Sequence, residues 1–210
     1  MYNIIPLFPT LVYHTNIKTN VNELIDYCYE QKRKDDVGST YEQRSGVNSY
    51  QSSYLIIEPL QAVRKKVDEI LTEVCTKPIY HDANWININP TGSRNVQHTH
   101  PGAEYSAVYY LKNESKTGIV FVNPLAHSSH YITTYTNPKL VSDTRAAPQF
   151  RIEPSQGDLL LFPSYLPHWV EENKGTEDRI SISWNINMIT DSMQKKLLLW
   201  HICTTLRTLV

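Results

Sequence analysis

Three histidines and one arginine carry the chemistry that this sequence offers. His98 and His100 form a His-x-His pair in QHTHPG, His168 sits in FPSYLPHWV, and Arg179 opens RISISWNIN. In a strand, residues i and i+2 point to one face, so His98 and His100 can offer two imidazoles to one ion. A third imidazole from a neighbouring strand would complete a facial set and leave positions open for substrate and oxygen. The pair alone is a weak signal, because a histidine before proline is usually a surface residue. The downstream context strengthens it. His168 follows GDLLLFPSYLP, which reads as a buried strand and a Pro-bounded turn. An arginine within an alternating strand is costly to bury without an anion. The alternation puts Arg179, Ser181, Ser183, Asn185 and Asn187 on one face and Ile180, Ile182, Trp184 and Ile186 on the other. Such a polar face is either the solvent side of a sheet or the lining of a polar cavity, and patterning leaves both open.

The elements that must position these groups fall into two regimes. Residues 7–17 read as an edge strand, since prolines are tolerated there. Residues 21–34 carry a helical stripe of Val21, Leu24, Ile25 and Cys28, with Asn20 or Asn22 available as a cap. Residues 36–53 are polar and read as a loop, and residues 53–59 as a short strand stopped by Pro59. Residues 60–74 repeat apolar side chains at three- and four-residue steps, the clearest helix in the chain. After Pro78 the period changes to two. ANWININP, EYSAVYYLK, GIVFVN, FRIEP, GDLLLFP, LPHWVEE and RISISWNINM follow one another between Gly, Pro and Asn turns. Many short strands after two helices predict a mainly β, α+β fold, a sandwich or partly open barrel backed by helices. The polar connection 124–148 is long enough to be a lid or binding loop. Residues 190–210 read as a C-terminal helix, a cover for a sheet face or a contact in a homodimer. The division expected is a single domain over 1–210: supporting helices and strands in 1–78, a β core in 79–188 and a C-terminal helix in 189–210.

Bulk properties narrow the function classes. The chain has 210 residues, with 20 Lys+Arg against 21 Asp+Glu. That balance argues against a dedicated nucleic-acid binder, which carries a basic excess. The hydrophobic set is 40% and charged residues are 20%, enough for a real core. The 14 tyrosines lean toward strands. Cys28, Cys75 and Cys203 lie far apart without CxxC spacing and read as reduced thiols of a cytosol. The N-terminus lacks a signal-peptide pattern, and no apolar stretch reaches the ~18 residues of a membrane span. The expected setting is therefore the cytoplasm, with no membrane partner.

HTHPGAEYSAVYYL, the Gly-led GIVFVNP, and GDLLLFPSYLPHWVEENKGTEDRISISWNI together resemble the Fe(II)/2-oxoglutarate-dependent oxygenases of bacteria and phages, distant relatives of prolyl hydroxylases. The resemblance covers roughly residues 80–188. It implies a double-stranded β-helix, or jelly roll, that holds iron at one mouth, in the cytoplasm of a bacterial or phage-infected cell. It implies His98 and His168 as the first and last metal ligands. The family's carboxylate ligand position falls on His100, so His100, Glu104 or a water would fill it. Arg179 and Ser181 match the pair that binds the distal carboxylate of 2-oxoglutarate, where a guanidinium forks onto a carboxylate and a hydroxyl adds a donor. Tyr110, rather than Tyr109, matches the inward tyrosine near the co-substrate. Asn87, and less strongly Asn89, match positions that would line the cavity near the 1-carboxylate. The implied reaction consumes O2 and 2-oxoglutarate, releases succinate and CO2, and hydroxylates a small-molecule or peptidyl substrate.

A second pattern competes. Gly92, His98, His100 and Glu104 resemble the first cupin motif, and Gly157, Pro163 and His168 the second. That resemblance implies a four-ligand site of His98, His100, Glu104 and His168 for iron, manganese or zinc. Cupins share the jelly roll, so the fold does not discriminate. The cupin reading leaves Arg179 unexplained, and Tyr165 stands where the second motif has glycine. A binding module with a vestigial metal site is the third reading. His127 and His130 sit in the long loop and read as surface residues. If that loop is a lid, His130, Tyr131 and Arg145 are substrate contacts. Cys28, Cys75 and His201 are assigned to packing.

Overall fold

The computed structural model describes residues 10–35, 45–125 and 148–190. The first strand, β1 (Tyr13–Asn16), lies within the expected span 7–17 and at a sheet edge, as expected. Helix α1 (Val21–Lys34) runs over the expected span and buries Leu24 and Cys28. Asn20 does not cap it with its side chain; its Nδ2 instead donates to Glu23 Oε2 at 3.0 Å. The basic run Lys32, Arg33 and Lys34 closes the last turn, where cations suit the helix dipole.

Two local expectations are corrected. The polar segment read as a loop contains two short strands, β2 (Gly46–Val47) and β3 (Tyr50–Gln51). Strands of two residues leave no period to detect, and these form because each finds an open partner strand. Residues 53–59 are not a strand. They make one bridge, Leu55 to Asn84, and then a short 3₁₀ turn, Glu58–Leu60, with Pro59 inside it. The Pro59 ring fixes φ for a helical first turn and removes the donor that a strand ladder needs. Helix α2 (Gln61–Val74) follows directly, burying Val63, Val67 and Leu71.

The remaining strands are β4 (Ile79–Asn89), β5 (Arg94–His98), β6 (Tyr105–Lys112), β7 (Ile119–Val122), β8 (Gln149–Ile152), β9 (Asp158–Pro163), β10 (His168–Val170) and β11 (Arg179–Met188). They form two antiparallel sheets, in the orders β1-β9-β6-β11-β4-β3 and β2-β5-β10-β7-β8. The chain crosses repeatedly between the sheets, as the expected jelly roll requires. The expected C-terminal helix, with His201 and Cys203, lies outside the described residues, as do His127, His130, Tyr131 and Arg145.

The larger sheet separates two cores. On its outer face Ile86, Ile88, Tyr109, Leu159, Leu161, Ile180, Ile182 and Trp184 pack with Leu24, Val63, Val67 and Leu71 of the helices. On its inner face Val108, Tyr110, Leu160 and Phe162 meet Ile119 and Phe121 of the smaller sheet. The open question about β11 is thereby decided. Its isoleucines face the helices, so its polar residues turn inward between the sheets.

Candidate metal centre and adjoining cavity

β5 and β10 place the histidines. His98 and His168 are direct partners across this pair, and their ring centroids lie 4.3 Å apart. His100 is not in the strand. β5 ends at His98, and His100 is held beyond it by its backbone N–H, which donates to the Ser164 carbonyl at 2.9 Å. Pro101 then enters a turn in which Gly102 takes φ +88°, a conformation that favours glycine. The two imidazoles therefore converge through a strand end and a turn, not through the alternation of one strand. The His100 ring stands 5.0 Å from His98 and 5.2 Å from His168. One nitrogen from each ring lies within 4.8 Å of the others.

The protonation of the cluster suits a cation. His98 Nδ1 lies 2.8 Å from the Val96 carbonyl, and His168 Nδ1 lies 2.9 Å from the Leu166 carbonyl. A carbonyl only accepts, so each Nδ1 carries the proton and each Nε2 keeps its lone pair. Burial, followed by the nearby His98 and His100, drives the His168 pKa down to about 3. Burial, followed by His98, drives His100 to about 4, and burial also lowers His98. At pH 7 these are three neutral imidazoles, the form that ligates a metal. An ion with nitrogen ligands at ~2.1 Å separates them by about 3 Å, so small rotations of the rings would close the set. The backbone acceptors behind His98 and His168 would hold those rings in orientation.

Glu104 does not join the cluster. Its carboxylate accepts from the Met188 N–H at 3.0 Å, on an exposed side chain. The four-ligand arrangement of the second reading is therefore not favoured.

The histidines open onto a cavity of about 300 Å3 between the sheets. Ladder partners set its lining. Arg179 lies opposite Asn89, Ser181 opposite Asn87, and Ser183 opposite Trp85. On the other side of β11, Ser181 faces Tyr110 and Asn185 faces Ser106. Arg179, Ser181, Tyr110 and Asn87 all line the cavity, whereas Tyr109 turns to the helices and donates to the Ile17 carbonyl. Asn89 does not line it; its Nδ2 supports Asn95 instead, at 3.4 Å from Asn95 Oδ1.

Arg179 is only 2% exposed. Nη1 donates to the Glu171 carbonyl at 3.0 Å and Nη2 to Asn95 Oδ1 at 3.1 Å. Both acceptors are uncharged, and no described carboxylate forms an ion pair with it. Burial lowers its pKa, against the pull of Tyr110 and Glu171, and burial raises the Tyr110 hydroxyl to about 12. A guanidinium stays protonated at neutral pH even so. The result is a buried, oriented positive charge with no carboxylate partner among the described residues.

Asn95 is the residue that sequence reasoning missed. Strict alternation would send Asn95 and His98 to opposite faces of β5. The register shifts there: Val170 pairs with Asn95 and His168 with His98, so three steps on β5 match two on β10. This bulge turns both side chains into the cavity and leaves Val96 outside, 45% exposed. The pattern RNVQH gives no sign of it, because an outward valine and an inward asparagine reverse the usual preference. Trp85, Gln51 and Tyr54 also line the cavity.

Residues 83–185 match a family described as "Putative 2OG-Fe(II) oxygenase". No curated protein matches the sequence. Among solved structures, the non-heme alpha-ketoglutarate-dependent epimerase SnoN from nogalamycin biosynthesis is similar at 14% identity and TM-score 0.58, over 86% of this chain and 77% of its own. A Pseudomonas putida prolyl-4-hydroxylase is similar at 14% identity and TM-score 0.55, over 85% and 93%. The viral collagen prolyl hydroxylase of Paramecium bursaria Chlorella virus-1, solved with 2OG, is similar at 15% identity and TM-score 0.54, over 83% and 94%. These likenesses show the fold, a double-stranded β-helix.

Proposed function

We propose the following function from one premise: through residues 83–185 this chain belongs to the 2OG-Fe(II) oxygenase family. The chain is an oxygenase of Fe(II) and 2-oxoglutarate, and His98, His100 and His168 hold the iron. The observation that supports this reading most is a pairing inside one cavity. Three neutral imidazoles converge on a point, and a buried guanidinium with no carboxylate partner among the described residues lines the same space. The first fits a divalent cation and the second fits a carboxylate.

When bound, Fe(II) and the 2-oxo acid supply the oxidising chemistry, using O2 to hydroxylate a substrate C–H bond with release of succinate and CO2. The protein supplies position and environment. The Val96 and Leu166 carbonyls fix two ligand rings. Arg179 takes the distal carboxylate of 2-oxoglutarate, with the Ser181 hydroxyl and the Tyr110 hydroxyl as neutral donors beside it. Asn87 Nδ2 donates to Ser183 Oγ at 3.1 Å and the side chain lines the cavity, which leaves its second N–H for the 1-carboxylate of the co-substrate. Phe162, Ile119 and Val170 keep water from the walls. The substrate is a small molecule or a peptidyl group.

His100 in place of a carboxylate gives a site without negative charge of its own. The metal is therefore more positive by one unit than with two histidines and one carboxylate, which favours chelation of an anionic co-substrate. Anaerobic titration tests the reading. Adding 2-oxoglutarate to the Fe(II)-loaded chain should produce a visible charge-transfer band, and Arg179→Ala should weaken co-substrate binding by roughly 2–5 kcal/mol. No band, and no succinate release with any candidate substrate, overturns it.

A further inference from the structure

The cavity extends past the histidines to a mouth of distinct chemistry. Tyr54 is 74% exposed yet lines the cavity, so it stands at the opening. Its ring meets Trp85 at 6.0 Å between centroids and 81° between planes. Trp85, 7% exposed, reaches on to His100 at 5.6 Å. The three rings form a continuous wall from solvent to the proposed metal centre.

The polar groups beside this wall are amides and hydroxyls. Asn185 accepts from Ser106 Oγ through Oδ1 at 3.0 Å, and among the described residues its Nδ2 has no partner. The Gln51 side-chain amide has none either. Arg179 is the only permanently charged side chain among the described lining residues. In the proposed function it is already committed to the co-substrate.

We infer that the primary substrate is an uncharged sugar ring, a neutral pyranoside, seated against Tyr54 and Trp85 and hydrogen-bonded by Gln51 and Asn185. This rests on the oxygenase reading, because it assigns the substrate of that same site. Three features decide the class. Among the described lining residues a charged substrate finds no counter-charge at the mouth, and desolvating it unpaired is costly. A flat aromatic ligand gains most when sandwiched between parallel ring faces, and two rings at 81° form a corner instead. A puckered ring fits a corner, its C–H groups against the negative ring faces, and its hydroxyls match free amides. A pyrrolidine ring would use the corner but brings no ring hydroxyls to the partly buried Gln51 and Asn185 amides, which therefore discriminate in favour of a hydroxylated ring.

Equilibrium dialysis of the full chain, loaded anaerobically with Fe(II) and 2-oxoglutarate, tests the assignment. The probes are the methyl pyranosides of glucose, galactose and mannose, with methyl glucuronide and acetyl-Gly-Pro-Gly-amide as alternatives. At least one neutral pyranoside should bind saturably and more tightly than either alternative. Tyr54→Ala and Gln51→Ala should each weaken it about tenfold, and Tyr54→Phe, which keeps the ring face, less than about threefold. The inference is overturned if no pyranoside binds, if the glucuronide or the prolyl peptide binds more tightly, or if Tyr54→Ala changes nothing. Co-substrate binding is measured in the same samples. If 2-oxoglutarate binds and pyranosides do not, only this inference falls; if 2-oxoglutarate does not bind, the oxygenase reading falls with it.

Discussion

The two acceptors that orient Arg179, the Glu171 carbonyl and Asn95 Oδ1, leave its charge uncompensated. Asn95 is itself steadied by Ser45, whose Oγ accepts from Asn95 Nδ2 at 3.0 Å. A carboxylate at position 95 would pair with the guanidinium and cancel the attraction for an anionic ligand. Asn95→Asp should therefore raise the dissociation constant for 2-oxoglutarate by well over about tenfold, and more than Asn95→Ala, which only frees the guanidinium. Titration of the two variants side by side checks the order. Equal losses would mean that Asn95 serves the packing of β5 and not the charge of the pocket. At the proposed metal centre, His100→Ala should lower Fe(II) affinity by at least the ~10–100-fold that loss of a partner behind a ligand costs, while Glu104→Ala leaves it unchanged, because only His100 stands in the cluster. Metal content after dialysis decides between them.

At the scale of elements, β1 is fastened to β9 by polar contacts as well as by its ladder. Asp158 accepts from Asn16 Nδ2 at 2.8 Å and from the Ser155 N–H at 2.8 Å, and His14 Nε2 lies 3.0 Å away. Burial pushes the Asp158 carboxyl up, but the bonds from Asn16, Ser155 and His14 outweigh it, and its pKa is lowered. A depressed carboxylate contributes stability that is complete above its unfolded value of about 3.9 and is lost as pH falls through the folded value. Acidification below about pH 4 should therefore free β1 first. Hydrogen exchange of the Tyr13–Asn16 amides should accelerate there in the native chain, and already be fast at pH 7 in Asp158→Ala. The same turn needs Gly157, at φ +84°, where a Cβ would come within 3.0 Å of the Ile17 carbonyl. The bulge in β5 is the counterpart element at the site: one extra residue brings Asn95 and His98 to one face.

For the whole molecule, the larger sheet divides labour between its faces. Ile182 is fully buried against the helices, and Arg179 is buried in the cavity three residues away on the same strand. Ile182→Ala should cost about 2–5 kcal/mol of stability, read from denaturant midpoints, and leave 2-oxoglutarate affinity unchanged. Arg179→Met should do the reverse. It removes a desolvated, unpaired charge, so unfolding shifts less than for Ile182→Ala while co-substrate binding is lost. If both variants fell equally on both measures, the two faces would not be independent. No helix among the described residues is long and apolar enough to cross a membrane.

The sequence by itself determined the two helices and most of the β strands, its resemblance pointed to the jelly roll, and it singled out the three histidines and the arginine that the structure brings to one cavity. Period is a local property: Val63, Val67 and Leu71 at helical steps, or Ile180, Ile182 and Trp184 in alternation, declare their faces without any partner. The tertiary structure alone decided which face met what. Polar residues on β11 line a cavity only because the helices claimed the isoleucines. His100 approaches His98 and His168 through a turn held by Ser164, and Asn95 reaches Arg179 through a slipped register. Each of these contacts joins segments far apart in the chain, where spacing carries no geometric information. The short strands β2 and β3 belong to the same class, since they exist only because β5 and β4 offer open edges.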